Sequence, residues 1–456
     1  MAGARADSSP SSGTPIDWKP CPDHTSAECG TLRLPVDRSR PEGETLDLAV
    51  ARRKATDPDR RVGVLLVNPG GPGDSGVNYT LTRAEAQLSA ELRSRFDIVG
   101  FDPRGVGGSR PVMCSKALLD ARPSAYPRDQ EEFERLAAYN RELREDMEAL
   151  REALGERRIN FFGHSYGTLI GEQYAELYGD RIRAMSLTAN IDHSITGTRE
   201  FLVSSARSAE DSWHQFVKWC DRTRSCALHG RDVPAVWDAL LKRADRGEIR
   251  DPERPGRTLG ANDIAQSVFK MFYGPDRAEA ATYVARLDAQ RPETGEPLDT
   301  AGPPDTGEAL KAEPFSVFRQ DWRFRPRDHR EFARLTAAER QAAPHMRGSP
   351  RVHAALAGCV GWPERVNNPQ HRLRVSEAPK LLMMHSRHDP ANPLSWAAEV
   401  RRQTRGTAVL LTYEGAGHRV YDRSDCTRDA MDGYLVSLKV PRDGGSCAAA
   451  DPATGG

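Results

Sequence analysis

The feature that most restricts this chain is the pentapeptide GHSYG at 163–167, set between a strand-like run, RINFF, and a helix-like run, TLIGEQYAELYG. Glycines two residues either side of a serine allow a strand-to-helix turn so tight that a Cβ at either place would strike the neighbouring backbone. Such a turn presents the serine hydroxyl at a helix N-terminus. Ser165 is therefore the candidate nucleophile, and the competing reading is a structural serine in a tight turn. A strand that enters such a turn and a helix that leaves it belong to a mostly parallel α/β sheet.

The rest of the pattern agrees. Further strand-like blocks lie at 62–67, 96–101, 183–188, 379–385 and 407–412, with helical periodicity at 130–154, 167–178 and 426–438. The stretch from Thr31 to Lys54 reads as an antiparallel hairpin. Between 196 and 365 helix-like segments (208–222, 261–273, 277–288) replace the alternation, and no parallel strand is convincing. At a prior of roughly 150 residues per domain, 456 residues suit two or three units, or one α/β unit with a large insertion. The expected organisation is a disordered lead at 1–15, a core in two parts at 16–195 and 366–456, and a helical cap at 196–365. Lysine plus arginine number 65 and aspartate plus glutamate 65, so no global field favours nucleic acid or an anionic membrane. The longest strong apolar run, VGVLLV at 62–67, is far too short to span a bilayer.

A serine nucleophile needs a base, and its tetrahedral intermediate needs donors already in place. The glycine-rich VNPGGPGDSG at 67–76 follows the first parallel strand, and the Gly71 amide together with that of Tyr166 is the expected oxyanion pair. A plain glycine turn is the alternative; a phosphate loop is rejected because no G-K-[ST] follows. Asp389, in HSRHDPANP, lies just past one late strand, and His418, in a glycine-flanked loop, just past the next. Ser, Asp, His is the chain order expected when loops at one sheet edge assemble a triad, with Asp389 fixing the His418 tautomer. His385 and His388 beside Asp389 do not read as a metal site, because a pair three apart does not share a strand face. No metal or cofactor is expected. In DPRGVGGSRP at 102–111 the reading is structural, with Asp102 and Arg104 bracing neighbouring loops.

Eight cysteines, several closely paired and none as C-x-x-C, point to disulfides and export rather than to buried thiols of a cytosolic protein. The opening MAGARADSSPSSGTP has no apolar core of the kind a secretion signal needs, so a trimmed mature form is expected.

Taken together, WKPC, CGTLRLPVD, NPGGPGDSG, FDPRGVGGS, GHSYGTLIGEQYA, FVKWCDRTRSCAL, GCVGWP, HDPANP, and GAGH followed by Cys426 and Cys447 resemble one family over nearly everything after residue 17. It is the α/β-hydrolase serine peptidases of the prolyl and tripeptidyl aminopeptidase type, in their secreted bacterial branch with a TAP-like C-terminal segment. The resemblance implies an α/β-hydrolase fold with a helical cap, triad roles for Ser165, Asp389 and His418, and cleavage of peptides from the free amino end. It also implies bridges Cys21–Cys29, Cys220–Cys226 and Cys426–Cys447, with Cys114 and Cys359 as a possible fourth. An exopeptidase must hold a free ammonium, for which Asp192, Glu210 and Asp211 are candidates. Trp213, Phe216, Trp219, Phe272, Tyr273 and Trp322 could line an apolar pocket, although helical spacing favours core. Two positions depart from the family pattern. SLTANIDHS at 186–194 replaces an Asp-Gly turn, and Asp74 stands where another glycine is common.

The expected function is thus a secreted, monomeric serine aminopeptidase. The alternative is an amidase or esterase of the same chemistry acting on a small-molecule metabolite. A binding protein without turnover is disfavoured because every triad position is filled.

Overall fold

Parallel strands covered on both faces are apolar throughout, and the sequence blocks at 63–68 and 96–101 satisfy this: every residue of both strands is buried. The computed structural model describes residues 16–35, 42–43, 45–103, 106–109, 113–115, 128–130, 156–254, 256–274, 276–290, 310–312, 318–361, 366, 368–404 and 406–450. Residues 131–154 of the helix expected over 130–154, and the candidate brace Arg104, lie outside them.

The strands are β1 (Lys19–Cys21), β2 (His24–Pro35), β3 (Thr45–Arg53), β4 (Gly63–Asn68), β5 (Phe96–Phe101), β6 (Met113–Ser115), β7 (Ile159–His164), β8 (Ile182–Thr188), β9 (Leu310–Ala312), β10 (Leu381–His388), β11 (Ala408–Ala416) and β12 (Ser446–Cys447). Ten of them form one sheet in the order β1-β2-β3-β5-β4-β7-β8-β10-β11-β12, while β6 and β9 pair with each other. From β5 to β12 every neighbouring pair is parallel. The β2–β3 hairpin is antiparallel and joins β5 antiparallel. This is the α/β-hydrolase fold.

The sheet's two faces carry separate cores. Leu66, Phe161 and Met383 lie on one, and Leu65, Ile98 and Met384 on the other, as period-two alternation requires. The helices that matter for the site are α1 (Tyr166–Leu177), α2 (Thr198–Arg222), α3 (Val233–Asp245), α4 (Ala261–Met271), α5 (Arg277–Asp288), α6 (His329–Ala342), α7 (Pro350–Cys359), α8 (Leu394–Gln403) and α9 (Asp425–Ser437). Helices α2 to α7 all fall between β8 and β10. The core of this insertion centres on Trp213, Trp237, Leu240 and Phe269. It is seated on the sheet by side chains of α2: the Ser205 hydroxyl donates to the Ala391 carbonyl at 2.7 Å, and that of Ser208 to the Asp389 carbonyl at 2.6 Å.

Those serines explain a difference from the sequence pattern, which starts a helix at 208 whereas α2 starts at Thr198. Buried Ser205 and half-buried Ser208 interrupt the apolar stripe of Phe201, Leu202, Ala206 and Ala209, where the helix docks through hydroxyls. Helices α6 and α7 were likewise not expected.

Three disulfides are formed: Cys21–Cys29, Cys220–Cys226 and Cys426–Cys447. The possible fourth is not, because Cys359 is a free thiol buried in α7. Its apolar surroundings push the thiol pKa up to about 12, so it is inert at neutral pH.

Candidate active site

Strands β4, β7, β8, β10 and β11 run parallel, so their carboxyl ends share one edge of the sheet. The residue that follows β7 is Ser165, the second after β11 is His418, and the one that follows β10 is Asp389. Ser165 sits at φ 54°, ψ −120°, a conformation L-residues rarely adopt, as the N-cap of α1. The turn is close-packed as the glycine spacing demands: a Cβ on Gly163 would stand 2.5 Å from the Gly167 carbonyl oxygen, and one on Gly167 2.7 Å from that of Asn68. The Ser165 amide donates to the Thr188 carbonyl at 2.9 Å, tying the elbow to the end of β8.

His418 and Asp389 are both buried, and the imidazole Nδ1 lies 2.9 Å from each carboxylate oxygen. Asp389 Oδ1 also accepts the amides of Ala391 (2.8 Å) and Asn392 (3.0 Å), which fixes the carboxylate. The His418 backbone is held in turn, its amide donating to the Tyr273 carbonyl at 3.0 Å, and the two rings lie 4.5 Å apart. With Nδ1 committed to Asp389, Nε2 is the nitrogen left for the cleft. Ser165 and His418 line the same cleft, of about 850 Å³, which also takes in Gly71, Asp74, Tyr273 and Arg351. No hydrogen bond joins Ser165 Oγ to His418 among the described residues. In an unliganded site of this chemistry that contact is commonly loose and tightens on the substrate.

The glycine loop after β4 approaches the elbow closely. Gly70 is at φ 88°, and a Cβ there would be 2.4 Å from the His164 carbonyl oxygen and 2.9 Å from the Tyr166 amide. The Gly70 amide is used, donating to Asn68 Oδ1 at 3.0 Å. The amides of Gly71 and Tyr166 have no acceptor among the described residues, and the latter stands at the start of α1, where helix N–H groups are free.

His164, the variable position before the serine, was not singled out by the motif. Its ring meets that of His418 at 4.8 Å, and its Nδ1 contacts Thr188 Oγ1 at 3.0 Å. Burial, reinforced by His418, holds its pKa well below the usual histidine range, so it does not add charge beside the proposed base.

The three carboxylates considered for ammonium binding do not line the cleft. Asp192 braces its own turn, accepting from the Ser194 amide (2.9 Å), the Ser194 hydroxyl (2.7 Å) and Gln403 Nε2 (3.1 Å). Glu210 accepts the amides of His345 (3.2 Å) and Met346 (3.3 Å) and pairs with His345 Nδ1 at 2.5 Å. Asp211 pairs with His388 Nδ1 at 2.6 Å. Glu210, His214 and His345 do converge, with one donor atom of each within 4.8 Å of the others. The 2.5 Å separation of His345 Nδ1 and Glu210 Oε1 is nevertheless a hydrogen bond, closer than two ligands about 2.0–2.2 Å from one tetrahedral ion stand to each other. His385 is buried and contacts the Asn392 carbonyl through Nε2 at 2.8 Å, a packing role.

Of the six aromatics considered for a pocket, Trp213, Phe216, Trp219 and Phe272 are core of the insertion, and Trp322 packs with Phe201 and Phe324. Tyr273 alone of the six reaches the cleft. Asp102 does brace loops, accepting from the Ser75 hydroxyl (2.6 Å) and the amides of Val77 (3.0 Å) and Gly108 (2.8 Å). Asp74 is exposed on the cleft wall.

The parallel sheet, the elbow and the convergence at its carboxyl edge define a serine hydrolase of the α/β-hydrolase fold. Residues 345–447 match the family model described as TAP-like protein. The chain is 28% identical to serine protease Hip1 of Mycobacterium tuberculosis over 98% of its own length and 94% of that protein's. It is 29% identical to carboxylesterase B of the same species (93% of this chain, 86% of that one). To the tripeptidyl aminopeptidase of Streptomyces lividans it is 26% identical, over 95% of this chain and 86% of that one. The chain is thus similar along nearly its whole length to proteins named for serine protease, carboxylesterase and tripeptidyl aminopeptidase activity, while its match to the TAP-like model is confined to residues 345–447.

Proposed function

We propose that the chain is a secreted peptidase that removes residues from the free amino end of peptides through a Ser165–His418–Asp389 triad. The observation that carries the triad is the Asp389–His418 pair at the sheet edge, opening on the cleft that holds Ser165. In this reading His418 takes the Ser165 proton as the hydroxyl attacks the substrate carbonyl. The Gly71 and Tyr166 amides receive the oxyanion, and His418 then protonates the departing amine. Water repeats the sequence on the acyl-enzyme and regenerates Ser165. Three disulfides support an oxidising compartment. Relatives named for serine protease and tripeptidyl aminopeptidase activity support the peptide substrate.

A second reading, an esterase or amidase acting on a small molecule, is favoured by the relative named carboxylesterase B and by the retreat of Asp192, Glu210 and Asp211 from the cleft. Matched peptide substrates with free and acetylated amino termini separate the two. An aminopeptidase cleaves only the free set, whereas equal turnover of both, or turnover of simple esters alone, favours the second reading.

A further inference from the structure

The loop that carries Gly71 sets three glycines, Gly70, Gly71 and Gly73, around Pro72 and after Pro69. Gly70, Gly71 and Gly73 take φ of 88°, 113° and 85°, values at which no Cβ restricts the chain. Hydrogen bonds help to fix its shape at these glycines. Two are local: the Gly70 amide donates to Asn68 Oδ1 at 3.0 Å, and the Asp74 amide to the Gly70 carbonyl at 3.3 Å. The third comes from a residue 280 positions away, where Arg351 Nη2, in the first turn of α7, donates to the Gly71 carbonyl.

These bonds fix the Gly70–Gly71 peptide and both of its neighbours. Asn68 holds the N–H of Gly70 on one side, the guanidinium holds the C=O of Gly71 on the other, and the Asp74 amide holds the Gly70 C=O of the peptide itself. The N–H between those anchors is the one assigned to the oxyanion. Arg351 also lines the cleft that holds Ser165 and His418.

We propose that Arg351 is a positioning residue for acyl transfer: by gripping the Gly71 carbonyl it aims the Gly71 amide into the cleft and makes the oxyanion site depend on the seating of the inserted helices. The role rests on the triad reading above, and it applies to peptides and esters alike. Arg351 carries no signature in the sequence, being one of many arginines in the insertion and part of no motif.

The test compares Arg351→Ala, Arg351→Lys and Ser165→Ala in the full chain, with p-nitrophenyl acetate as substrate and phenylboronic acid as the oxyanion mimic. Arg351→Ala is expected to lower kcat roughly ten- to a hundredfold with KM within about threefold, and to weaken the boronate by a similar factor. Added guanidinium ion at tens of millimolar is expected to restore part of kcat in Arg351→Ala and none in Ser165→Ala. Arg351→Lys, which keeps the charge but not the planar fork, is expected to fall between. Wild-type kcat in Arg351→Ala, or lost kcat with unchanged boronate affinity, overturns the proposal. If Arg351→Ala does not fold, wild-type kcat and boronate affinity in Arg351→Lys overturn it equally. Full activity in Ser165→Ala would instead overturn the triad reading, so the two failures are distinguishable.

Discussion

Ser165 is held at φ 54° by the close packing around it, and a non-glycine residue there stores of order 1–3 kcal/mol. Replacing it with glycine removes the Cβ that creates the strain. Ser165→Gly is therefore expected to abolish turnover while raising unfolding free energy by about 1 kcal/mol, read by urea denaturation. Asp389→Asn keeps the shape but presents an amide to Nδ1, and a drop in kcat of roughly 10⁴-fold is expected with little change in KM. Away from the cleft, Glu172 is buried in α1, 3.5 Å from Asn190 Nδ2, and burial pushes its pKa well above the ordinary 4.5. A pKa raised in the folded state means that Glu172 contributes its full stability below pH 4.5, where folded and unfolded chains are both protonated there. That contribution is lost as pH rises toward the elevated folded value, at about 1.4 kcal/mol per pH unit. Glu172→Gln should match the wild type in acid denaturation curves and grow progressively more stable than it above that pH; a constant difference at all pH would contradict this. The motif marked Ser165, Asp389 and His418, but nothing in sequence marked Glu172 as buried, because burial there depends on what packs over α1.

At the scale of elements, the oxyanion loop and the elbow are one packed unit. A methyl on Gly70 would stand 2.4 Å from the His164 carbonyl oxygen and 2.9 Å from the Tyr166 amide, at a φ that already disfavours any side chain. Gly70→Ala is expected to cost about 2–3 kcal/mol in thermal unfolding and to lower kcat more than a distant mutation of equal cost. Strands β4, β5, β7, β8, β10 and β11 were legible because buried parallel strands leave continuous apolar runs. Helices α4, α5 and α9 were legible from their periodicity. Helices α6 and α7 were not: α6 exposes many charged residues, and α7 begins at Ser349-Pro350, which reads as a turn. Glu210 and Asp211 lie away from the cleft for a related reason. Acidic residues on α2 look like cleft candidates, yet Glu210 and Asp211 face histidines from other elements that only folding brings near.

Across the whole molecule, the cleft is lined by the loops at the sheet edge together with Gln266, Phe269 and Lys270 of α4 and Arg351 and Ala354 of α7, so stretches of chain far apart in sequence meet there. The C-terminal end is fastened by Cys426–Cys447, which ties α9 to the edge strand β12 across 21 residues. Replacing both cysteines with serine is expected to destabilise the fold by about 3 kcal/mol in denaturant titration, with kcat near wild type once folded. Convergence of Ser165, His418 and Asp389 into one working triad is tested most directly by intact-mass and peptide mapping after reaction with a fluorophosphonate. One adduct per chain, located at Ser165 and slowed by orders of magnitude in His418→Ala, is the predicted result. An adduct on another residue, or labelling of His418→Ala at the wild-type rate, would contradict it.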